Sequence, residues 1–303
     1  MATRSSKTWQ LQVAGLALAI LGPPSAAHGQ DVEGPRIVPT HNVVLSGYGT
    51  VGYLYRPGSE DNRNEFTAQF APIFLYQFQD KIQFEAELEF ELEDGVTETG
   101  LEYAQVNYIA NDYLVLIGGK FLLPFGVFGE RLHPSWINKF ATPPPIFGHH
   151  ESEFGGDPII PIISDVGIQA RGAIRPGPLA IGLSGYITQG PALEDDEAEI
   201  PEIGFPASSG DNNSGKSFGG RLDIALPPMF EVNFSLMNGD YDDQNVLDFT
   251  AWDVAAEFHH KRLEIRGEYV QTRQEIETFD GFPILKRHGL YAQAAYRIAK
   301  WEP

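Results

Sequence analysis

The sequence of 303 residues contains no cysteine. A disulfide framework, a thiolate metal site and a cysteine nucleophile are therefore excluded. Basic residues are scarce, with 21 Lys and Arg against 41 Asp and Glu and a formal net charge of −20. Because neutralising phosphates requires Lys and Arg, this balance argues against a nucleic-acid-binding protein. The charge instead suits a surface in contact with water and cations.

Long apolar runs are also missing. No stretch reaches the roughly 18 apolar residues of a membrane-spanning helix, and the mean hydropathy is only −0.21. Strands that alternate between apolar and polar residues give the same mild average, so this composition does not exclude a membrane β-barrel. The motifs GxSxG and HExxH are absent as well. We therefore expect no enzyme activity and no cofactor.

The first 29 residues have the three parts of a secretory signal peptide. Arg4 and Lys7 form a basic start, residues 11–21 form a short apolar segment, and Ala27-His28-Gly29 fits the small-x-small cleavage rule. We predict that residues 1–29 are removed on export. The next residues, 30–42, are predicted to be a periplasmic N-terminal segment, and residues 43–303 the main domain.

The segment KIQFEAELEFELEDG, residues 81–95, shows a pattern that recurs along the chain. Every second residue from position 82 to position 92 is apolar. The positions between them include Glu85, Glu87, Glu89 and Glu91. A period of two predicts a β-strand with one apolar and one polar face. Because four carboxylates on one face repel each other, we expect all four to face water.

Twelve such strands are predicted, with hardly any helix signal between them. They cover residues 43–55, 64–78, 81–92, 101–110, 113–121, 165–175, 179–189, 217–226, 229–238, 248–259, 262–273 and 287–299. Most of them reach the length of roughly nine to eleven residues that a tilted membrane strand requires.

The predicted connections alternate between short and long. Turns such as QD, ND, RPGP, PP and HK alternate with longer segments, among them residues 93–100 (EDGVTETG), 122–164 and 190–216. Outer-membrane barrels have short periplasmic turns and long external loops. The fold prediction is therefore all-β: a transmembrane antiparallel up-and-down β-barrel.

The polar faces of the predicted strands carry charges of both signs, whereas the apolar faces carry almost none. A Lys or Arg that faces lipid costs about 2–4 kcal/mol at mid-bilayer, so we expect the polar faces to line a water-filled interior. The predicted pore-lining residues are Glu85, Glu87, Glu89, Glu91, Lys120, Arg171, Arg221, Asp223, Asp253, Glu257, Glu264, Arg266 and Glu268.

A second feature is the stretch LIGGKFLLPFGVFGERLHPSWINK, residues 116–139. Its order of Gly119-Lys120-Phe121, Pro124-Phe125-Gly126 and Glu130-Arg131 resembles a motif of the phosphate-selective porin O/P family of Gram-negative outer membranes. The segment LSGYGTVGY and the region from LEFELEDG to GGKF are similar to the same family. The likeness runs from about residue 43 to the end of the chain.

This resemblance implies a sixteen-stranded, homotrimeric channel in which the loop after the fifth strand folds inward and narrows the pore. Here that loop is residues 122–164, and its predicted constriction residues are Pro124, Phe125, Gly126, Glu130, Arg131 and Lys139. The sequence stops at AKWEP after the twelfth predicted strand. We therefore expect the barrel to lack its last strands here, and a complete twelve-stranded barrel is the alternative.

Three further segments suggest ligands but have simpler interpretations. His149, His150 and the nearby carboxylates suggest a metal, but adjacent strand residues point to opposite faces, so no metal site is predicted. The acidic run 194–197 is expected to be a solvated external loop, with loose calcium binding as the alternative. Residues 210–217, GDNNSGKS, lack the spacing and the following helix of a phosphate-binding loop.

The predicted function is an outer-membrane porin for passive diffusion of small ions and polar solutes. The resemblance implies that anions such as phosphate are among these solutes. The acidic polar faces argue against phosphate. Lys120, Arg131 and Lys139 are expected to face acidic residues across the constriction. Expected partners are outer-membrane lipid and the solutes, without nucleic acid. The alternatives are a barrel scaffold for an enzyme or adhesin, and an exported soluble β-sandwich binding protein.

Overall fold

A computed structural model of the chain describes residues 9–13, 41–55, 64–93, 95–132, 134, 137, 144–147, 158–195, 202–205, 213–277 and 281–298. These residues are almost entirely antiparallel β-strand in an up-and-down order, so the all-β prediction is confirmed. By their contacts they divide into unit 1, residues 1–110, and unit 2, residues 111–303. Within the described ranges, no helix is long and apolar enough to cross a membrane.

Unit 1 consists of strands that pair as antiparallel neighbours in chain order. They are β1 (Trp9–Val13), β2 (His41–Tyr55), β3 (Asn64–Phe78), β4 (Ile82–Glu93) and β5 (Val96–Asn111). Strand β1 lies within the predicted signal peptide, so its pairing with β2 concerns the chain before cleavage. The removal of residues 1–29 stays a prediction.

Unit 2 contains a second series of antiparallel neighbours. The series runs through β6 (Leu114–Leu122), β7 (Ser164–Ile174), β8 (Ala180–Thr188), β11 (Ser217–Leu226), β12 (Phe230–Asp240), β13 (Asp248–His260), β14 (Leu263–Glu275) and β15 (Ile284–Tyr296). A separate hairpin of β9 (Ala192–Asp195) and β10 (Glu202–Gly204) lies between β8 and β11 in the sequence. This hairpin was not predicted.

The twelve predicted strands correspond to β2–β8 and β11–β15. Their ends lie within three residues of the predicted positions, except at the start of β5. The period of two was a sufficient signal because each of these strands has one apolar and one polar side.

The connection between β4 and β5 is a tight turn, so the predicted long loop over residues 93–100 is wrong. Strand β5 begins at Val96, which pairs with Glu93, and only residues 94 and 95 connect the two strands. Gly95 has a φ of +76°, and Asp-Gly is a strong signal for a two-residue hairpin turn. The alternation of short and long connections therefore fails here.

The two faces of each sheet differ as the alternation predicts. We call the face with most of the charged side chains the polar face, and the other the apolar face. On the polar face of unit 2, Arg221, Asp253 and Glu268 are at most 5% exposed. On its apolar face, Leu183 and Phe218 are more than half exposed. Other exposed apolar side chains there include Leu116, Ile168, Ile187, Leu222, Ile224, Phe230, Phe234, Leu236, Val254, Ile265 and Leu290.

We expect the substitution Gly95→Ala to lower the free energy of unfolding by about 1–2 kcal/mol, because a Cβ atom disfavours the left-handed backbone conformation. Nothing lies within 4 Å of that Cβ position, so the effect comes from the backbone alone. Urea unfolding of the purified chain gives the measurement. Gly100→Ala is the matched control, since its Cβ also meets nothing within 4 Å and its φ is outside the left-handed region. Equal losses in the two variants would contradict this role of the turn.

Candidate functional site

The described residues of the β6–β7 loop, which spans positions 123–163, lie on the polar face of unit 2. Its ends are joined where the Leu123 N–H donates to the carbonyl oxygen of Ile163 over 2.9 Å. The side chains of Phe125, Val127 and Phe128 are at most 5% exposed. They belong to one apolar core with residues of the strands, including Ile117, Tyr186, Met237, Ala251, Ala255, Val270 and Tyr291. The described part of the loop therefore packs onto the strands, and its narrowing of a pore stays a prediction.

Gly126, the last residue of the Pro124-Phe125-Gly126 motif, is fixed through both of its peptide groups. Its N–H donates to Ser235 Oγ over 2.9 Å, and its carbonyl oxygen accepts from Arg221 over 2.9 Å. Its φ is +64°. A Cβ atom at this position would lie 2.2 Å from Oε1 of Glu268, so the contact with the strand requires glycine.

The carboxylate of Glu268 on β14 accepts the next two peptide N–H groups of the loop. Val127 donates over 2.7 Å and Phe128 over 3.3 Å. The hydroxyl of Tyr291 on β15 donates to the same carboxylate over 2.9 Å. Glu268 thus joins the loop to two neighbouring strands through hydrogen bonds to a buried charged acceptor, which are the stronger kind.

Three aromatic rings pack directly beside these hydrogen bonds. The rings of Phe128 and Phe147 are stacked, with centroids 5.4 Å apart, and Tyr291 meets both rings edge-on at 6.1–6.2 Å. Stacked and edge-on pairs each stabilise by about 0.5–1.5 kcal/mol beyond their burial. Tyr291 therefore contributes an aromatic contact and a hydrogen bond at one place.

Glu130 lies in a single π-helical turn, Phe128–Leu132, that follows the motif. Its carboxylate forms ion pairs with Arg171 on β7 and, over 2.5 Å, with Arg221 on β11. Burial alone would raise the pKa of Glu130, but the two guanidinium groups outweigh burial and hold the pKa below its usual range. Glu130 is therefore a carboxylate that keeps its charge.

Arg131, the next residue, pairs with carboxylates instead of guanidinium groups. It contacts Glu231 on β12 over 2.6 Å and Glu257 on β13 over 3.3 Å. Its side chain is 34% exposed. The turn thus places Glu130 between two arginines and Arg131 between two glutamates. Both are predicted constriction residues, and both contact predicted pore-lining residues.

Four other predicted polar-face residues of unit 2, Arg221, Asp223, Glu264 and Arg266, form further ion pairs and hydrogen bonds. Arg221 reaches Asp223 over 2.9 Å, and Asn233 donates to Asp223 and Glu231. Arg266 donates to Gln293 over 2.7 Å and lies 3.9 Å from Glu264. Arg131, Arg171, Arg221 and Arg266 on this face are therefore each matched with carboxylate or amide oxygens.

In unit 1, the glutamates of β4 share the polar face, but the expectation that all four face water is wrong for Glu87. Glu87 is only 3% exposed and accepts the hydroxyl of Tyr48 over 2.8 Å. Glu85 accepts from Gln105 over 3.2 Å, and Glu89 accepts from a glutamine of β3. Hydroxyl and amide donors, rather than water alone, therefore reduce the repulsion between these carboxylates.

The prediction that Lys120 lines the polar face is also wrong. The register of β6 and β7 places Lys120 opposite Val166 and places Val115 opposite Arg171. Lys120 therefore shares the apolar face with Leu116 and lies near the end of β6. The face of Lys120 is hard to read from the sequence because Gly118 and Gly119, which precede it, have no side chain to mark a face.

Several predicted residues lie outside the described residues. These are Lys139, His149, His150 and the side chains of the acidic run 194–197. In the part of the chain that the structure describes, no group of three or more His, Asp or Glu is placed to hold a metal ion.

Sequence reasoning did not single out Ser235, Tyr48 or Tyr291 as site residues. Their position on the polar face was readable from the alternation, since Ser235 stands two residues from Asn233. Their partners were not readable, because Gly126 and Ser235 are 109 residues apart in the sequence and meet only in the folded chain.

Comparisons with known proteins leave the function open. No family model matches the chain. The chain is similar to an uncharacterised protein of Aquifex aeolicus (strain VF5), with 26% identity over 285 residues that cover 85% of this chain. The chain spans only 62% of the length of that relative.

We expect Gly126→Ala to displace the β6–β7 loop from β14, because the added Cβ would collide with Glu268 Oε1 at 2.2 Å. The free energy of unfolding should fall by about 1–3 kcal/mol, the range of a strained left-handed residue. Urea unfolding measures it. The control is Gly129→Ala, whose Cβ would approach only Ile162, at 3.8 Å or more. A loss as large in the control as in Gly126→Ala would show that the contact with Glu268 is unimportant.

Proposed function

We propose that the chain spans the outer membrane of a Gram-negative bacterium as a β-barrel porin, through which small ions and polar solutes diffuse passively. One observation carries the proposal: large apolar side chains are exposed on one face of the strands, while charged side chains are buried on the other. Soluble proteins rarely expose contiguous apolar patches larger than a few hundred Å². Lipid around the apolar face would remove the cost of exposing it to water.

The charges on the apolar face of unit 2 support the same proposal. In its described strands they lie near the ends that meet the long connections, and they are Lys120, Asp240, Asp248, Arg273, Glu275 and Lys286. A long basic side chain near the membrane surface can reach water with its charged end. The same charge at mid-bilayer would cost about 2–4 kcal/mol. The misread Lys120 therefore fits this membrane boundary.

The connections add a third argument. Apart from the β4–β5 turn, short turns alternate with long connections along the described strands. This asymmetry is typical of outer-membrane barrels, whose short turns face the periplasm. The resemblance of the Pro124-Phe125-Gly126 motif to phosphate-selective porins points to the same class, and the homotrimer and the sixteen strands that it implies are part of this proposal.

The charges of the polar faces favour cations over phosphate. In unit 1, strands β2–β5 contain no Lys or Arg, and Glu85, Glu89 and Glu91 are half-buried on the polar face. In unit 2, Arg131 and Arg171 are ion-paired with carboxylates. An anion would have to compete with those carboxylates, whereas strands β2–β5 offer a cation acidic side chains and contain no Lys or Arg of their own.

We expect Leu222→Lys to lower the free energy of unfolding from lipid vesicles by about 2–4 kcal/mol, because the charge would face mid-bilayer. Ala225→Lys, three residues later on the polar face of the same strand, is the matched control and should cost less. Urea unfolding of the vesicle-inserted chain measures both. A soluble β-sandwich or other water-exposed fold would tolerate Leu222→Lys and would stay in solution without detergent.

The test of function is the reversal potential of the reconstituted full-length chain in a planar bilayer under a KCl gradient. We expect open-channel conductance with a preference for K⁺, because of the acidic polar face. The double variant Glu85→Gln with Glu89→Gln should reduce that preference, whereas Asp112→Asn, in the exposed turn after β5, should change it less. Absence of conductance would refute the porin, and an anion preference blocked by phosphate would refute the cation assignment.

A further inference from the structure

Two carboxyl groups, those of Asp253 on β13 and Glu268 on β14, are buried side by side under the β6–β7 loop. Asp253 is 0% exposed and Glu268 is 1% exposed. The register pairs Glu268 with Ala255, two residues from Asp253 on the same face. Both carboxyl groups lie within 4 Å of the place that a Cβ atom of Gly126 would occupy. A state in which both groups are charged is unfavourable, because two buried carboxylates repel each other.

Hydrogen bonds distinguish the two groups. Glu268 already accepts from Val127, Phe128 and Tyr291, as a charged carboxylate does. Neither oxygen of Asp253 receives a hydrogen bond from an N–H or O–H donor among the described residues. Its neighbour is the Glu268 carboxyl. Two carboxyl groups can hydrogen-bond to each other only when one of them carries a proton.

Within the described part of the chain, no charged group around the pair is available to neutralise Asp253. Arg221 on β11 is the basic group that acts on Asp253, but its guanidinium is held by Glu130 and Asp223. The titratable groups that the surrounding loop and strands bring to this face are Glu130, Arg131, Asp165, Arg171, Tyr186, Arg221, Asp223, Glu231, Glu257, His259, Glu264, Arg266, Arg287 and Tyr291. Arg131 and Arg266 are engaged with their own partners.

We propose that Asp253 and Glu268 bind one proton between them, carried by Asp253 and donated to Glu268, and that this proton helps to hold the β6–β7 loop in place. When the proton leaves, Glu268 moves away from the charge on Asp253. Because Glu268 is the acceptor for Val127 and Phe128, its movement releases the loop from β14. For the channel, which rests on the proposed function, the consequence is a conductance that rises at alkaline pH.

The first measurement is urea unfolding of the full chain between pH 5 and pH 9, which does not depend on conduction. Free Asp and Glu release their protons with pKa values of about 3.9 and 4.3, so the unfolded chain is deprotonated in this range while the folded pair keeps one proton. The added stability is present at low pH and is lost as the pH rises. Linkage predicts about a tenfold fall in the folding equilibrium constant per pH unit from this one proton.

The variant Asp253→Asn replaces the shared proton by an amide N–H that can donate to Glu268, so it should remove this pH dependence. Asp165→Asn is the control, because Asp165 is equally buried but accepts from the Gly190 N–H over 2.7 Å instead of from the loop motif. Equal pH dependence in the wild-type chain and Asp253→Asn would overturn the proposal. If Asp253→Asn does not fold, the protons released when the wild-type chain unfolds at pH 7 are measured instead. Release of one proton from the pair supports the proposal, and release of none overturns it.

Bilayer conductance of the same proteins separates this proposal from the porin. The wild-type conductance should stay constant while the folded pair keeps its proton and should rise above pH 9, where the proton leaves, whereas the conductance of Asp253→Asn should stay constant throughout. Conductance without a pH-dependent difference in stability would overturn the shared proton and leave the channel. A pH-dependent difference in stability without any conductance would overturn the channel and leave the shared proton.

Discussion

The β6–β7 loop enters a polar surface, and its peptide groups must find hydrogen-bond partners there because buried N–H and C=O groups cannot stay unpaired. Gly126, Val127 and Phe128 meet this constraint through side chains of β11, β12 and β14. The rest of the site follows from this attachment. The aromatic rings close over Glu268, and the π-helical turn brings Glu130 and Arg131 to their ion pairs.

Much of the fold was predictable because the strands alternate so regularly. A strand with an apolar and a polar side has one arrangement that satisfies both, and the sequence from 217 to 226 shows it without ambiguity. The sequence prediction differs from the structure where the alternation is weak or where a local turn signal competes with it. The Asp-Gly turn before Val96 carried a clear local signal, but the expected alternation of loop lengths was given more weight. Lys120 was placed on the wrong face across two glycines.

The site was predictable only as far as its motif. The resemblance pointed to Pro124-Phe125-Gly126, and the structure shows a local reason for the glycine, since any side chain would collide with Glu268. The partners could not be predicted, because a carboxylate on a strand has the same pattern whether it faces water or accepts a peptide N–H. Glu87 illustrates this: its sequence context matches that of Glu85 and Glu89, yet Tyr48 buries it.

The two units use acidic residues in different ways. In unit 2, the π-helical turn adds one acid and one base in sequence, and each pairs with the opposite charge on the strands, so the turn leaves the net charge of that face unchanged. In unit 1, Tyr48 and Gln105 donate to Glu87 and Glu85 without neutralising them. A hydrogen bond from a neutral donor stabilises a carboxylate and leaves its field in place. The glutamates of β4 therefore keep their negative field, whereas Glu130 and Arg131 are matched by opposite charges and serve to hold the loop.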